Sequence, residues 1–236
     1  MIKSWIKSTL GERNLGVWDY YRYPELRNLW GGGFNGQLGR RRIVADLCES
    51  VNFAYAVETG TFRGATTEIL ANSIAGEIYT IEKLPRNFGF AKHRLNKYRW
   101  VHVEEGDSRS FLKALFANNK LPVNQPGFYY LDAHWEADLP LVEEIDIVFS
   151  NTDHAVVMID DFQVPGDCGY QFDNYGTGKI LTATLLEEAV AKFDLNLFYP
   201  RLPSSLETSV KRGCAVLVKR GDESLVEVPS LVSYSA

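Results

Sequence analysis

Between positions 53 and 159, short apolar runs alternate with longer stretches in which the apolar residues recur every three or four positions. The runs cover residues 53–57, 77–81, 100–103, 127–131 and 155–159, and each has the length and composition of a strand. The intervening stretches, residues 66–73, 88–97, 110–118 and 139–150, carry leucine, isoleucine or phenylalanine at helical spacing. A further helix is predicted over 181–192, followed by two closing strands at 195–199 and 214–218 with a polar loop between them. Strand and helix in alternation predict an α/β fold, a doubly wound sheet of seven mostly parallel strands joined by crossover helices. Ligands of such a sheet sit beyond the carboxyl ends of its strands.

The first fifty residues follow a different pattern. Trp18, Tyr20, Tyr21 and Tyr23 stand in a polar setting before the breaker Gly31-Gly32-Gly33, and a helix is predicted over 37–50. This predicts a lid or flap over residues 1–50, ahead of a catalytic domain at 51–236. Ile2, Trp5, Ile6 and Leu10 have helical spacing, but the segment is too short and too interrupted for the apolar core of a signal peptide.

Composition narrows the class. With 236 residues, 45% of them hydrophobic, the chain can bury one substantial core. A net charge of −5 argues against a broad phosphate-binding surface, so nucleic acid is not the expected partner. Cys48, Cys168 and Cys214 are far apart and lack a Cys-x-x-Cys pair, which argues against a disulfide framework or zinc cage and for a reducing, cytoplasmic setting. No stretch has the length of a membrane span. Assembly into a homo-oligomer is compatible with the sequence and not specified by it.

The candidate chemistry lies at the strand ends. The first strand runs into Glu58-Thr59-Gly60-Thr61-Phe62-Arg63-Gly64-Ala65-Thr66, where glycines permit a sharp turn and the next helix offers unpaired N–H groups to an anionic ligand. The spacing is neither the Gly-x-Gly-x-x-Gly dinucleotide pattern nor a Walker loop. Glu82 ends the second strand, where a carboxylate can accept from a ribose diol. Gly106-Asp107-Ser108 follows the third strand, either as an adenine-binding corner or as the cap of the next helix.

As an ordered set, these residues resemble the class I S-adenosylmethionine-dependent methyltransferases. The resemblance implies a Rossmann-like sheet with an antiparallel last strand. It also implies that Gly60, Thr61, Gly64 and Thr66 hold the methionine part, with Glu58 opening the motif, Glu82 the ribose, and Asp107 with Ser108 the adenine.

Two further strand ends carry acids. Asp132 follows the fourth strand in Leu131-Asp132-Ala133-His134-Trp135, and Asp160-Asp161 closes the fifth. Three adjacent carboxylates repel one another unless a cation or shared protons intervene, so a hard divalent ion, Mg²⁺ first, is expected there. The arrangement is similar to the metal site of catechol-type O-methyltransferases, and the acidic pair is closer still to the macrocin-type sugar O-methyltransferases. The catechol-type lysine base has no counterpart, since Trp135 stands at that place. The base is then His134 or Asp132.

The loop 163–176 that follows Asp161 is polar and aromatic, and Tyr170, Phe172 and Tyr175 either wall an acceptor or pack the loop onto its own domain. The resemblance implies methyl transfer to a hydroxyl of a sugar or other small molecule. A metal-independent methyltransferase, a catalytically inactive cofactor-binding partner protein and a nicotinamide oxidoreductase are the rival readings.

Overall fold

The computed structural model describes residues 11–133, 138–221 and 228–233. The predicted alternation is present: β1 (Tyr55–Thr59), α3 (Ala65–Ser73), β2 (Glu77–Glu82), α4 (Pro85–Leu95), β3 (Val101–Glu105), α5 (Ser108–Ala117), β4 (Gly127–Leu131), α6 (Leu141–Asn151) and β5 (Ala155–Asp160). Ahead of them lie α1 (Glu12–Arg22) and α2 (Leu38–Ser50). After them come α7 (Glu187–Phe193), β6 (Leu195–Pro200), β7 (Cys214–Lys219) and β8 (Leu231–Ser233).

The sheet order is β3-β2-β1-β4-β5-β7-β6-β8. β1 to β5 pair in parallel, whereas β7 lies antiparallel to both β5 and β6. The expectation of seven strands is corrected to eight, because Leu231–Ser233 adds an antiparallel edge against β6. The expected reversed strand is β7, inserted beside β5, with β8 as a second reversed strand.

Alternate residues of each strand enter two different cores, as the period of two requires. On one face Tyr55, Val57, Tyr129, Leu131, Val157 and Ile159 meet α5, α6 and α7 through residues such as Leu112, Ile145 and Ala189. On the other, Ala56, Phe128, Tyr130, Val156 and Met158 meet α2 and α3 through Ile43, Leu47 and Leu70. The double burial explains why these strands read as continuous apolar runs. It also places the carboxyl ends of β1 to β5 along one rim.

Residues 11–50 carry α1, α2 and the segments between them. Helix α1 packs on α4 with Gly16 against the carbonyl of Arg86 and Gly89 against that of Arg13. A Cβ at either glycine would stand 2.0 or 1.9 Å from that oxygen, so only glycine permits this crossing. Asp19, nearly buried, accepts from Arg86 Nε at 2.6 Å and fastens the same contact. Residues Pro24–Gly31 and Gly33–Gly36 form two short 3₁₀ segments that carry the chain across the strand-end rim into α2. Among the described residues no helix is long and apolar enough to cross a membrane. Cys48, Cys168 and Cys214 are all free thiols.

Candidate active site

A cavity of about 570 Å³ opens above the carboxyl ends of β1 to β5. Its size lies within the range of small-molecule sites. Gly60, Thr61 and Thr66 line it from the β1–α3 turn, Glu82 from β2, Asp107 and Ser108 from β3–α5, Asp132 from β4, and Asp160 with Asp161 from β5. Leu26, Leu29, Trp30 and Asn35 close the front. Two sequence-predicted residues stay outside the lining: Gly64, left-handed at the start of α3, and Glu58 beneath it.

The β1–α3 turn is tight for a local reason. Gly60 has φ +88°, and a Cβ there would stand 2.2 Å from the carbonyl oxygen of Asp132. Its N–H and that of Thr61 both donate to the Ile81 carbonyl at 3.0 Å, while the Asp132 N–H donates to Thr59 at 2.9 Å. Phe62 is also left-handed, at φ +48°, a costly conformation for a bulky residue. Its ring stacks on Trp30, 5.3 Å between centroids and 14° from parallel, at the cavity front.

Glu58 is wholly buried and works below the turn. Its Oε2 accepts from Thr67 of α3 at 2.5 Å and Thr80 of β2 at 2.6 Å, so it ties the turn to the sheet rather than facing the cavity. Burial pushes its carboxyl up to about 7, against the two threonine hydroxyls. Glu82, by contrast, faces the cavity. Its Oε2 accepts from the Phe62 N–H at 2.7 Å and its Oε1 from the Leu84 N–H at 2.8 Å. The Asn87 side chain and the Lys83 N–H also lie beside this carboxylate at the cavity wall.

Asp107 caps α5, accepting from the N–H groups of Arg109 at 3.1 Å and Ser110 at 3.3 Å. Arg109 also grips it from the side through Nε and Nη2, and this pairing holds its carboxyl down at about 2. The capping reading therefore holds while the residue also lines the cavity. Ser108 leans on Glu144 of α6, a fully buried acid with one unpartnered oxygen.

Burial pushes the Glu144 carboxyl from its ordinary 4.5 up to about 7, despite the hydroxyls of Ser108 and Thr59 beside it. The sign follows from proton binding. Below the unfolded value both states are protonated, and no penalty exists. As pH rises through 4.5 toward 7, the folded state keeps a proton that the unfolded chain has released, and the cost reaches its full size above 7. That cost is on the order of 3 kcal/mol. Replacing Glu144 by Gln is thus expected to raise Tm relative to wild type at pH 8 and to leave it nearly unchanged at pH 4. Calorimetric scans of both proteins across that range check this, and a difference independent of pH defeats it.

The acid cluster is built with its own cations. Asp160 is buried, with the Arg40 guanidinium donating to Oδ1, the Tyr130 hydroxyl donating to Oδ2, and the Asp161 N–H donating to Oδ1 at 2.7 Å. Arg40 reaches it from the first turn of α2, and its Nη2 donates to the carbonyls of Arg212 and, at 2.9 Å, Gly213. Asp161 sits left-handed at φ +53° and accepts from Arg212 Nε at 2.6 Å. Arg212 Nη2 donates to Asp173, which also receives the Tyr175 hydroxyl. Asp132 is raised above the ordinary carboxylate range by burial and by Asp160 and Asp161 nearby.

Among the described residues, no three His, Cys, Asp or Glu side chains come together as a metal-holding group. His134 and Trp135 lie outside the described residues. The donor set present does not fit Mg²⁺, because two of the three acids expected to hold it are bound by guanidinium groups.

Sequence reasoning missed Arg40, Arg212 and Asp173. The signal that would have found the arginines is charge balance: buried carboxylates demand counter-charges, and both arginines were available in the chain. In the loop 163–176, Tyr170 packs inward with its hydroxyl on the Leu202 carbonyl, and Asp173 rather than an aromatic ring reaches the cavity.

Solved structures share this fold. The O-methyltransferase TomG of Streptomyces achromogenes, involved in tomaymycin synthesis and solved with S-adenosylmethionine, superposes with a TM-score of 0.55 at 18% identity, over 78% of this chain and 79% of its own. An O-methyltransferase of Bacillus cereus in complex with S-adenosylhomocysteine gives 0.54 at 15%, over 77% and 80%. Cofactor-bound Rv0187 from MTB gives 0.56 at 18%, over 78% and 80%. No protein-family model and no curated protein sequence matches the chain. At these identities the likeness shows the fold, which is that of the class I O-methyltransferases.

Proposed function

We propose that the protein transfers the methyl group of S-adenosylmethionine to a hydroxyl oxygen of a small-molecule acceptor, a sugar being the class nearest to the macrocin-type resemblance. The observation that carries this is the pairing of the left-handed Gly60 turn with the Glu82 carboxylate across one cavity. Solved structures of the same fold with S-adenosylmethionine or its demethylated product support the choice of cofactor.

In this reading Gly60, Thr61 and Thr66 hold the methionine end, Glu82 the ribose, and Ser108 with Asp107 the adenine, while Glu58 and Gly64 shape the turn from behind. The cofactor supplies an electrophilic methyl on a sulfonium. The chain's part is to place an acceptor hydroxyl in line with it and to take its proton, a role for Asp132 or His134. Burial of Asp132 beside two other acids raises its proton affinity, so it can take the hydroxyl's proton only from its ionised form. Residues 1–50 then form the lid of a catalytic domain at 51–236.

Titration calorimetry of the full chain tests the cofactor assignment directly. S-adenosylmethionine is expected to bind with a micromolar Kd, about −8 kcal/mol, and NAD(H) to give no heat. Heat from NAD(H) with none from S-adenosylmethionine turns the reading to an oxidoreductase.

A further inference from the structure

The acidic rim poses a charge problem that the chain solves with its own residues. Asp132, Asp160, Asp161 and Asp173 all line one cavity, and two guanidinium groups are lodged among them. The Arg40–Asp160 pair has side chains only 1% and 4% exposed, and Arg212 bridges Asp161 and Asp173 from the loop before β7.

Mg²⁺ requires near-octahedral oxygen ligands at about 2.0–2.1 Å and binds through carboxylates that retain open lone pairs. Here Oδ1 of Asp160 takes Arg40 and a backbone N–H, Oδ2 takes the Tyr130 phenol, and Oδ1 of Asp161 takes Arg212. An arginine cannot vacate such a place by losing its proton, since its guanidinium stays charged throughout the accessible pH range. A divalent ion entering the rim meets two fixed positive charges and has to break a buried ion pair to gain Asp160 as a ligand.

We infer that Arg40 and Arg212 stand in for the divalent cation that the catechol-type resemblance implies, holding the acid cluster together and excluding Mg²⁺ from it. Arg40 is a positioning residue, acting through Asp160. Arg212 fixes Asp161 and Asp173 at the acceptor end of the cavity. The inference rests on the methyltransferase reading for its meaning, while the charge arrangement itself is independent of the reaction.

Manganese is the probe, because its paramagnetic resonance signal reports free ion directly. The full chain, stripped with EDTA and desalted, is titrated with Mn²⁺ with and without S-adenosylmethionine, and S-adenosylmethionine binding is measured on the same sample. Wild type is expected to take up no Mn²⁺, and Mg²⁺ is expected to leave its Tm unmoved. Arg212→Gln, which removes the guanidinium from between Asp161 and Asp173, is expected to acquire Mn²⁺ binding at least about tenfold tighter than wild type, a gain of about 1.4 kcal/mol or more. Arg212→Lys keeps the charge and is expected to stay cation-free.

Uptake of one Mn²⁺ per wild-type chain overturns the inference. Failure of folded Arg212→Gln to gain Mn²⁺ overturns the assignment of the exclusion to Arg212. Absence of S-adenosylmethionine binding in a cation-free wild type defeats the proposed function alone and leaves the charge arrangement standing.

Discussion

Replacing Arg40 by methionine is expected to cost about 3–5 kcal/mol of folding stability, since removing one partner strands a buried carboxylate. For a chain of this size the loss corresponds to a fall in Tm of roughly 10 °C. The argument is local. Asp160 is held by Arg40, the Tyr130 hydroxyl and one backbone N–H, and the loss of the guanidinium leaves a charge that two neutral donors cannot balance. Arg40 also satisfies the Arg212 and Gly213 carbonyls, so its removal loosens the segment before β7. Adding Asp160→Asn to Arg40→Met is expected to restore much of the stability, because no stranded charge then remains. Thermal scans of the single and double variants decide the matter, and a single variant within about 2 °C of wild type would falsify the account.

The second large effect concerns Glu82. In the proposed function its carboxylate accepts from the cofactor ribose, so replacement by alanine removes that acceptor and, with it, the anchor that holds the Phe62 and Leu84 N–H groups. Hydrogen bonds to a charged group contribute about 1.5–3 kcal/mol each. S-adenosylmethionine affinity is therefore expected to fall about 100-fold, near 2.7 kcal/mol. Glu82→Gln, which keeps one oxygen, is expected to lie between. Calorimetry on the three proteins measures this, and an alanine variant binding within about threefold of wild type removes Glu82 from the cofactor site.

The elements that sequence patterning revealed are those whose periodicity is set by burial on both faces. β4 and β5 are visible because every residue from Gly127 to Leu131 and from Ala155 to Asp160 is buried, so polar residues are nearly absent from them. β1 was placed two residues early because its last positions, Glu58 and Thr59, are polar yet buried; the apolar run stops at Val57 while the strand continues. Helix α1 escaped notice because its polar sequence carries Gly16 at the crossing with α4, where a weak helix former is required by contact rather than by propensity. β8 has three residues and gains its identity only from pairing with β6.

The site divides in the same way. Strand-end acids and the Gly60 turn are local signals, legible from where each apolar run stops. Arg40 lies 120 positions from Asp160 and Arg212 lies 51 from Asp161, so their partnership is a property of the folded chain. The three aspartates alone call for a cation or shared protons, and the fold sets the guanidinium groups of Arg40 and Arg212 against two of them.

The contact of the Gly60 turn with the Asp132 carbonyl sets one more limit. The exits of β1 and β4 are pressed together and bonded through the Thr59 carbonyl, which fixes the spacing of the two halves that the proposed function assigns to methyl donor and acceptor. Chemistry and choice of substrate then reside in separable parts of the molecule. A rigid heart at the strand ends, with Asp173 held to it by Arg212, tolerates no drift, while the rest of a rim made from residues 24–36 and 163–176 is expected to diversify. Descendants of this protein with new acceptors are expected to differ in that rim and to share the heart unchanged.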